Sequence, residues 1–221
     1  MRFKDRAHAG HELVRRLGDL GSRPCVVGAI PRGGVAVGLS VAQVLEAPLV
    51  VVNAHKLTAP VAPEFAFGAI DEDGEVLLDQ VSVVDLGLDP EDVERARRRA
   101  WEKMRPRIER PQGARLVAWL PGPVVLVDDG LATGLTMRAA VHYARRHGAT
   151  AITVAVPCAS AEAARALRLE VEHFVCPIVD PAFEAVGSYY ADFSQVSDEE
   201  MAALLARADE RGGPVSPGRG S

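Results

Sequence analysis

The stretch Val124-Val125-Leu126-Val127-Asp128-Asp129-Gly130-Leu131-Ala132-Thr133-Gly134-Leu135-Thr136-Met137 decides how this chain is read. Residues 124–127 are all apolar, the composition of a strand buried on both faces, as in parallel sheets. Two carboxylates follow, then a run of mostly small residues up to Gly134. From Thr136 onward Met137, Ala140, Val141 and Ala144 recur at helical spacing, and Gly148 supplies a stop. Strand, acid pair, small-residue loop and helix together predict a phosphate site. Loop amides and the positive helix end would face the anion, and the Thr133 and Thr136 hydroxyls would add hydrogen bonds. Asp128 and Asp129 would repel that anion, so they must face something else, such as sugar hydroxyls or a bound Mg²⁺.

This stretch resembles the binding motif for 5-phosphoribosyl-1-pyrophosphate (PRPP) of the type I phosphoribosyltransferases. The resemblance implies that Asp128 and Asp129 bind the ribose 2′- and 3′-hydroxyls. It implies equally that Gly130, Leu131, Ala132, Thr133, Gly134, Leu135 and Thr136 form the 5′-phosphate loop. The form Asp-Asp-x-Leu-Ala-Thr-Gly-x-Thr-Met is closest to the adenine phosphoribosyltransferase variant. Ala132 stands where hypoxanthine-type enzymes carry an Asp as candidate acid/base. Other nucleotide folds fit less well, since the chain has neither a Gly-x-Gly-x-x-Gly fingerprint nor a Gly-Lys-Ser/Thr P-loop.

Composition sets the outer bounds. The chain has 221 residues, 48% hydrophobic and 25% charged, enough for one domain with a sizeable core. A net charge of −5 argues against a general nucleic-acid binder. No apolar run approaches a membrane span and Met1-Arg2-Phe3-Lys4-Asp5 is no signal peptide, so a soluble, cytoplasmic protein is expected. Cys25, Cys158 and Cys176 are too few and too widely spaced for a disulfide or zinc framework, and are expected as core thiols.

Outward from the motif, helices are expected over 5–20, 35–45, 90–109, 136–146, 160–167 and 197–208. Ser197 and Glu200 have the spacing of a capping box. Buried strands are expected over 25–30, 49–53, 124–127, 151–156 and 171–175, with a further short strand over 115–119. Asp73-Gly74 signals a hairpin between 67–70 and 76–78. Residues 55–66, with Pro60 and Pro63, are expected as a long loop. The alternation of strand and helix predicts an α/β fold: a parallel sheet with helices on both faces, a long lid loop or hairpin and a small C-terminal hood. We expect a single domain over 1–209, with its core at about 20–180 and the hood at about 177–196, and a disordered tail over 210–221. Ligands of such sheets bind beyond the carboxyl ends of the strands.

Two more sheet-end loops carry unusual residues. Ile30-Pro31-Arg32-Gly33-Gly34 follows the first strand; its glycines let amides turn toward an anion and Arg32 adds charge. The resemblance makes Arg32, Gly33 and Gly34 the pyrophosphate loop. The region from His55 onward matches the family's mobile lid, with Lys56 at its base as a further pyrophosphate contact. Glu64 is the only carboxylate between Glu46 and Asp71, which makes it the candidate acid/base.

Four of the eleven aromatics, Phe183, Tyr189, Tyr190 and Phe193, fall in the hood region. In the family a variable hood selects the acceptor, which makes Tyr189 and Tyr190 candidates to stack on a heterocycle, with packing as the alternative role. The expected activity is Mg²⁺-dependent transfer of phosphoribose from PRPP to a nitrogen acceptor. The metal would be held mainly by substrate, with Asp128 and Asp129 as the possible protein ligands. A PRPP- or nucleotide-sensing regulator on the same fold is the alternative, and a hydrolase using the acid pair a weaker one. The family also makes a homodimer plausible.

Overall fold

The computed structural model describes residues 2–18, 25–59, 62–109 and 122–209, except the side chains of 62–64 and 209. The expected strand over 115–119, the tail over 210–221 and positions 19–20 of the expected first helix lie outside these residues.

Five parallel strands form the central sheet: β1 (Val26–Ala29), β2 (Leu49–Val51), β6 (Gly122–Val127), β7 (Ala149–Ala155) and β9 (His173–Val175), in the order β2-β1-β6-β7-β9. Alternate side chains leave each strand on opposite sides, which builds two cores. Val125 and Val127 point toward α1 (Arg6–Leu17), α2 (Gly33–Leu45) and α7 (Asp198–Asp209). Val124 and Leu126 point toward α5 (Leu135–Arg146) and α6 (Ala161–Arg168). A sheet buried on both faces needs strands without polar alternation, which is why 124–127 reads as an unbroken apolar run.

The chain leaves β1 through α2 in one direction along the sheet and leaves β6 through α5 in the other. The order therefore reverses between the neighbours β1 and β6. A crevice opens at such a reversal, outside the strands' carboxyl ends. Residues 30–34 and 128–134 are the two loops that border it.

One expectation fails outright. Residues 55–59 and 62–66 are strand rather than loop: β3 (Ala54–Ala59) and β4 (Ala62–Asp71) pair antiparallel, and β5 (Val76–Leu78) adds a third strand. The prolines suggested a break, yet Leu57, Ala59, Phe67 and Ile70 are buried together with Ala96, Ala100 and Met104 of α4 (Pro90–Glu109). Burial against that helix outweighs the local turn signal, and register shifts at Leu57/Thr58 and Thr58/Ala59 absorb the irregularity. Further elements are α3 (Gln80–Asp85), capped by the Asp79 carboxylate, and a two-stranded parallel sheet of β8 (Cys158–Ser160) and β10 (Ile178–Asp180). Of the cysteines only Cys158 is fully buried, and Cys25 and Cys176 are half-buried free thiols. Among the described residues no helix is long and apolar enough to cross a membrane.

Candidate active site

Asp128 and Asp129 leave the end of β6 side by side. The Asp129 amide donates to Asp128 Oδ1 at 2.8 Å, which turns the Asp128 carboxylate back along the loop. Burial raises the Asp128 pKa well above the usual carboxylate range, and the neighbouring Asp129 charge adds to the rise. Burial raises Asp129 as well, while Arg6 opposes the shift. Arg6 Nε donates to Asp129 Oδ2 at 2.8 Å, and its guanidinium lies 4.0 Å over the ring of Phe193. Sequence reasoning missed Arg6. It reaches the site because Phe3 pairs with the hood: the Phe3 amide donates to the Tyr189 carbonyl and the Ala191 amide to the Phe3 carbonyl, both at 2.8 Å.

The pyrophosphate-loop candidates abut the acids. A Cβ on Gly33 would overlap the Asp129 carboxylate and come within 2.9 Å of Arg6 Nε. A Cβ on Gly34 would sit 2.8 Å from the Val127 carbonyl and 3.0 Å from Asp128 Cα. Both glycines are thus required by close approach. The peptide bond between Pro31 and Arg32 is cis. Arg32 itself turns toward the start of α7, where its guanidinium lies 3.8 Å from Asp198 Oδ1; Arg107 approaches the same oxygen at 3.5 Å. Lys56 is exposed on β3 and lines a separate cleft with His55, Thr58, Arg99 and Lys103.

The loop after the acids is pinned at one point and free at others. The Leu131 amide donates to the Cys158 carbonyl and its carbonyl accepts from Ser160, both at 2.9 Å, and its side chain is 3% exposed. Leu131 therefore anchors the loop to β8, and its amide is not available to a phosphate, contrary to the sequence expectation. Leu135 is likewise an anchor, packed with Ala54, Ala69 and Ala139. Ser160, which sequence reasoning assigned only to a helix, adds a tie: its hydroxyl donates to the Ala132 carbonyl at 2.7 Å and accepts from the Ala163 amide at 3.0 Å. Among the described residues the amides of Ala132, Thr133, Gly134 and Thr136 have no protein acceptor. Gly134 adopts φ 76°, left-handed backbone that lets the chain turn into α5. Four free donors at a helix N-terminus can hold an oxyanion.

The hood departs from expectation at Tyr190. It is 1% exposed, packed beside Phe3 and Phe193, and its hydroxyl donates to the Asp129 carbonyl at 2.6 Å. A ring so enclosed offers no face to an acceptor; it props the acid pair from behind. Tyr189 is only partly buried, stacks on Phe183 at 5.0 Å between centroids and donates to Asp180 Oδ2 at 2.7 Å. Glu64 lies in β4, and its side chain falls outside the described residues.

Comparison with known proteins gives the arrangement a family. The family model for the phosphoribosyl transferase domain matches residues 120–193, which carry the acid pair, the anion loop and the hood. Over 207 residues the chain is 40% identical to Rv0571c of Mycobacterium tuberculosis (strain ATCC 25618 / H37Rv), named as a putative phosphoribosyl transferase, and to its counterpart MT0597 in strain CDC 1551 / Oshkosh. The chain belongs to the type I phosphoribosyltransferase family. The match covers 93% of this chain and 47% of each of those proteins, so the chain spans about half the length of the curated relatives it matches. TT1426 from Thermus thermophilus has the same fold, with a TM-score of 0.77 and 42% identity, over 94% of this chain and 99% of that one. In this phosphoribosyltransferase fold, Arg6 of α1, Ser160 at the end of β8 and Tyr190 of the hood brace the motif loop.

Proposed function

We propose that the chain transfers the 5-phosphoribosyl group of PRPP to a nitrogen acceptor, a nucleobase or similar heterocycle, releasing pyrophosphate. The observation that carries this reading is the contact of the two loops across the sheet reversal, with Gly33 and Gly34 against Asp129 and Asp128. A ligand bearing a diol between two anionic ends suits such a crevice. In this reading Ala132, Thr133, Gly134 and Thr136 hold the 5′-phosphate through their amides, and remote binding energy is used at the reacting carbon. Asp128 and Asp129 orient the ribose hydroxyls and stabilise positive charge as it develops at C1. Arg32, Gly33 and Gly34 receive the pyrophosphate, while Lys56 lies in the separate cleft beside α4. Glu64 handles the proton, since Ala132 cannot. Tyr189, only partly buried, remains the hood candidate for contact with an acceptor. The hairpin of β3 and β4 covers the reaction and excludes water, which would otherwise capture an electron-poor ribosyl centre.

The acid pair also fits Mg²⁺ brought in with the substrate. Its donors are hard carboxylate oxygens, and Asp128 has no ion-pair partner among the described residues to neutralise it. When bound, the ion would neutralise charge on the leaving pyrophosphate. A cytoplasmic homodimer is the setting we propose, on the family resemblance.

Calorimetric titration of PRPP with Mg²⁺ into the wild type and into Asp128→Asn/Asp129→Asn tests the reading. Binding lost in the double variant, followed by pyrophosphate release with a nitrogen heterocycle, is the expected result. Binding without release on any acceptor would replace the transferase with a PRPP sensor. Within an active system, an unchanged rate in Glu64→Gln would remove Glu64 from the proton step.

A further inference from the structure

A second cationic cleft lies between β3 and α4, away from the acid pair. It has a volume of about 160 Å³ and is lined by His55, Lys56, Thr58, Ala96, Arg99, Ala100 and Lys103. Two strand residues, Lys56 and Thr58, contribute an ammonium and a hydroxyl. Arg99 and Lys103 are one helical turn apart and lie on the same side of α4. The alanines at 96 and 100 leave the space between strand and helix open.

Among the described residues the charge here is uncompensated. Along α4 the other arginines in contact with acids are all paired: Arg95 with Glu91 and Asp92, Arg97 and Arg98 with Glu94, Arg105 with Glu109 and Arg107 with Asp198. Among the described residues Lys56, Arg99 and Lys103 have no carboxylate within ion-pairing distance. Like charges one turn apart on a helix repel, so the sequence places them there at a cost to the free protein. Burial holds the His55 pKa down at about 4, and Lys103, Arg107 and Lys56 push in the same direction. Among the described residues the only acid tied to this group is Asp198 of α7, which Arg107 shares with Arg32. His55 is therefore neutral at physiological pH and stands beside the cations as a hydrogen-bonding ring.

We propose that the cleft lined by His55, Lys56, Thr58, Arg99 and Lys103 is a binding site for a phosphoryl anion, separate from the motif loop at residues 130–136. Three cationic side chains, one hydroxyl and one imidazole supply charge-assisted and neutral donors to a tetrahedral oxyanion. The site shares no residue with the glycine loop and acid pair proposed to hold PRPP, and the inference does not depend on transfer activity. The anion is either free inorganic phosphate or the phosphate of a nucleotide or sugar phosphate.

The His55 ring reports occupancy by proton NMR without any turnover. An anion beside the imidazole favours its charged form, so orthophosphate should raise the His55 pKa by roughly 1 to 3 units. By reciprocity, phosphate should bind more tightly as pH falls through that range. The increment should persist in Asp128→Asn/Asp129→Asn and disappear in Arg99→Gln/Lys103→Gln, whose altered side chains are exposed. Adenosine 5′-monophosphate and ribose 5-phosphate, titrated in the Asp128→Asn/Asp129→Asn background, distinguish the sources. A larger increment than orthophosphate gives assigns the site to an organic phosphate, and an equal or smaller one assigns it to the free ion. No phosphate-dependent shift in the wild type overturns the proposal. So does a shift that survives Arg99→Gln/Lys103→Gln, or one that vanishes with the acid pair.

Discussion

Arg6 and Asp129 are 123 positions apart and meet through a 2.8 Å bond between Nε and Oδ2, with both side chains largely shielded from water. One more donor of the same guanidinium reaches the Ser194 carbonyl at 2.8 Å. Arg6 thus fixes Asp129 on one side while Tyr190 holds the carbonyl of the same residue on the other. The acid faces the crevice because two distant segments clamp it.

Arg6→Gln should therefore act on Asp129 rather than on a ligand. Losing a hydrogen bond to a charged, partly buried group costs about 2 kcal/mol. At this chain length the melting temperature should fall by roughly 4–8 °C. PRPP affinity should fall roughly tenfold or more as Asp129 loses its orientation. Calorimetry and thermal unfolding of the same preparation check both. Undiminished PRPP binding would show that Asp129 needs no clamp.

Gly33→Ala tests the contact of the two loops. The new methyl would enter the Asp129 carboxylate, and Arg6 Nε lies 2.9 Å away, so acid, arginine or the start of α2 must move. An overpacked site of this kind costs roughly 1–3 kcal/mol. PRPP affinity should drop more than stability does, because the displaced group is the one facing the diol. Measuring denaturant midpoint and PRPP affinity together separates the two, and a loss of stability alone would detach Gly33 from the binding crevice.

Tyr190→Phe should read as a structural change. The hydroxyl that donates to the Asp129 carbonyl at 2.6 Å is buried, and Cys158 Sγ, at 3.8 Å, is a poor substitute donor. An unsatisfied buried carbonyl costs about 1–3 kcal/mol. In an active enzyme the acceptor KM should stay unchanged, because the ring has no open face. A selective rise in acceptor KM would restore Tyr190 to the acceptor pocket.

The sequence was legible where local pattern and tertiary environment agree. The unbroken apolar run at 124–127, the acid pair and the glycine of the loop are contiguous, and a buried parallel strand leaves no other pattern. The capping box of α7 is equally local: Ser197 Oγ accepts from the Glu200 amide at 3.0 Å and Glu200 Oε2 from the Ser197 amide at 2.8 Å. Legibility ended where contacts are long-range. The hairpin of β3 and β4 depends on α4 covering Leu57 and Phe67, while Pro60 and Pro63 in the sequence read as loop signals. Arg6 stands in a short charged segment whose importance arises only when Phe3 pairs with the hood. Leu131 looked like a loop residue and is a core residue, because β8 passes behind it.

Titration of the acid pair gives the last test. An acid whose pKa is raised by folding favours its protonated form, so the folded state loses stability as pH rises from the ordinary carboxylate value to the raised one. Asp128 is such a group, since burial and Asp129 both lift it. Asp128→Asn keeps Oδ1 as acceptor for the Asp129 amide and removes the buried charge. The variant should be more stable than the wild type at pH 7, by about 1 kcal/mol, as when a strained functional site is relieved. That advantage should disappear below about pH 4, where the unfolded carboxyl is protonated too. PRPP binding with Mg²⁺ needs the ionised acid, so between the ordinary carboxylate range and the raised pKa it should release a proton from the wild type, and it should weaken as pH falls. Calorimetry in two buffers of different ionisation enthalpy counts that proton. A wild type that binds PRPP with no proton release, together with Asp128→Asn no more stable than wild type at pH 7, would mean that Asp128 is already ionised in the free protein and that burial does not govern its titration.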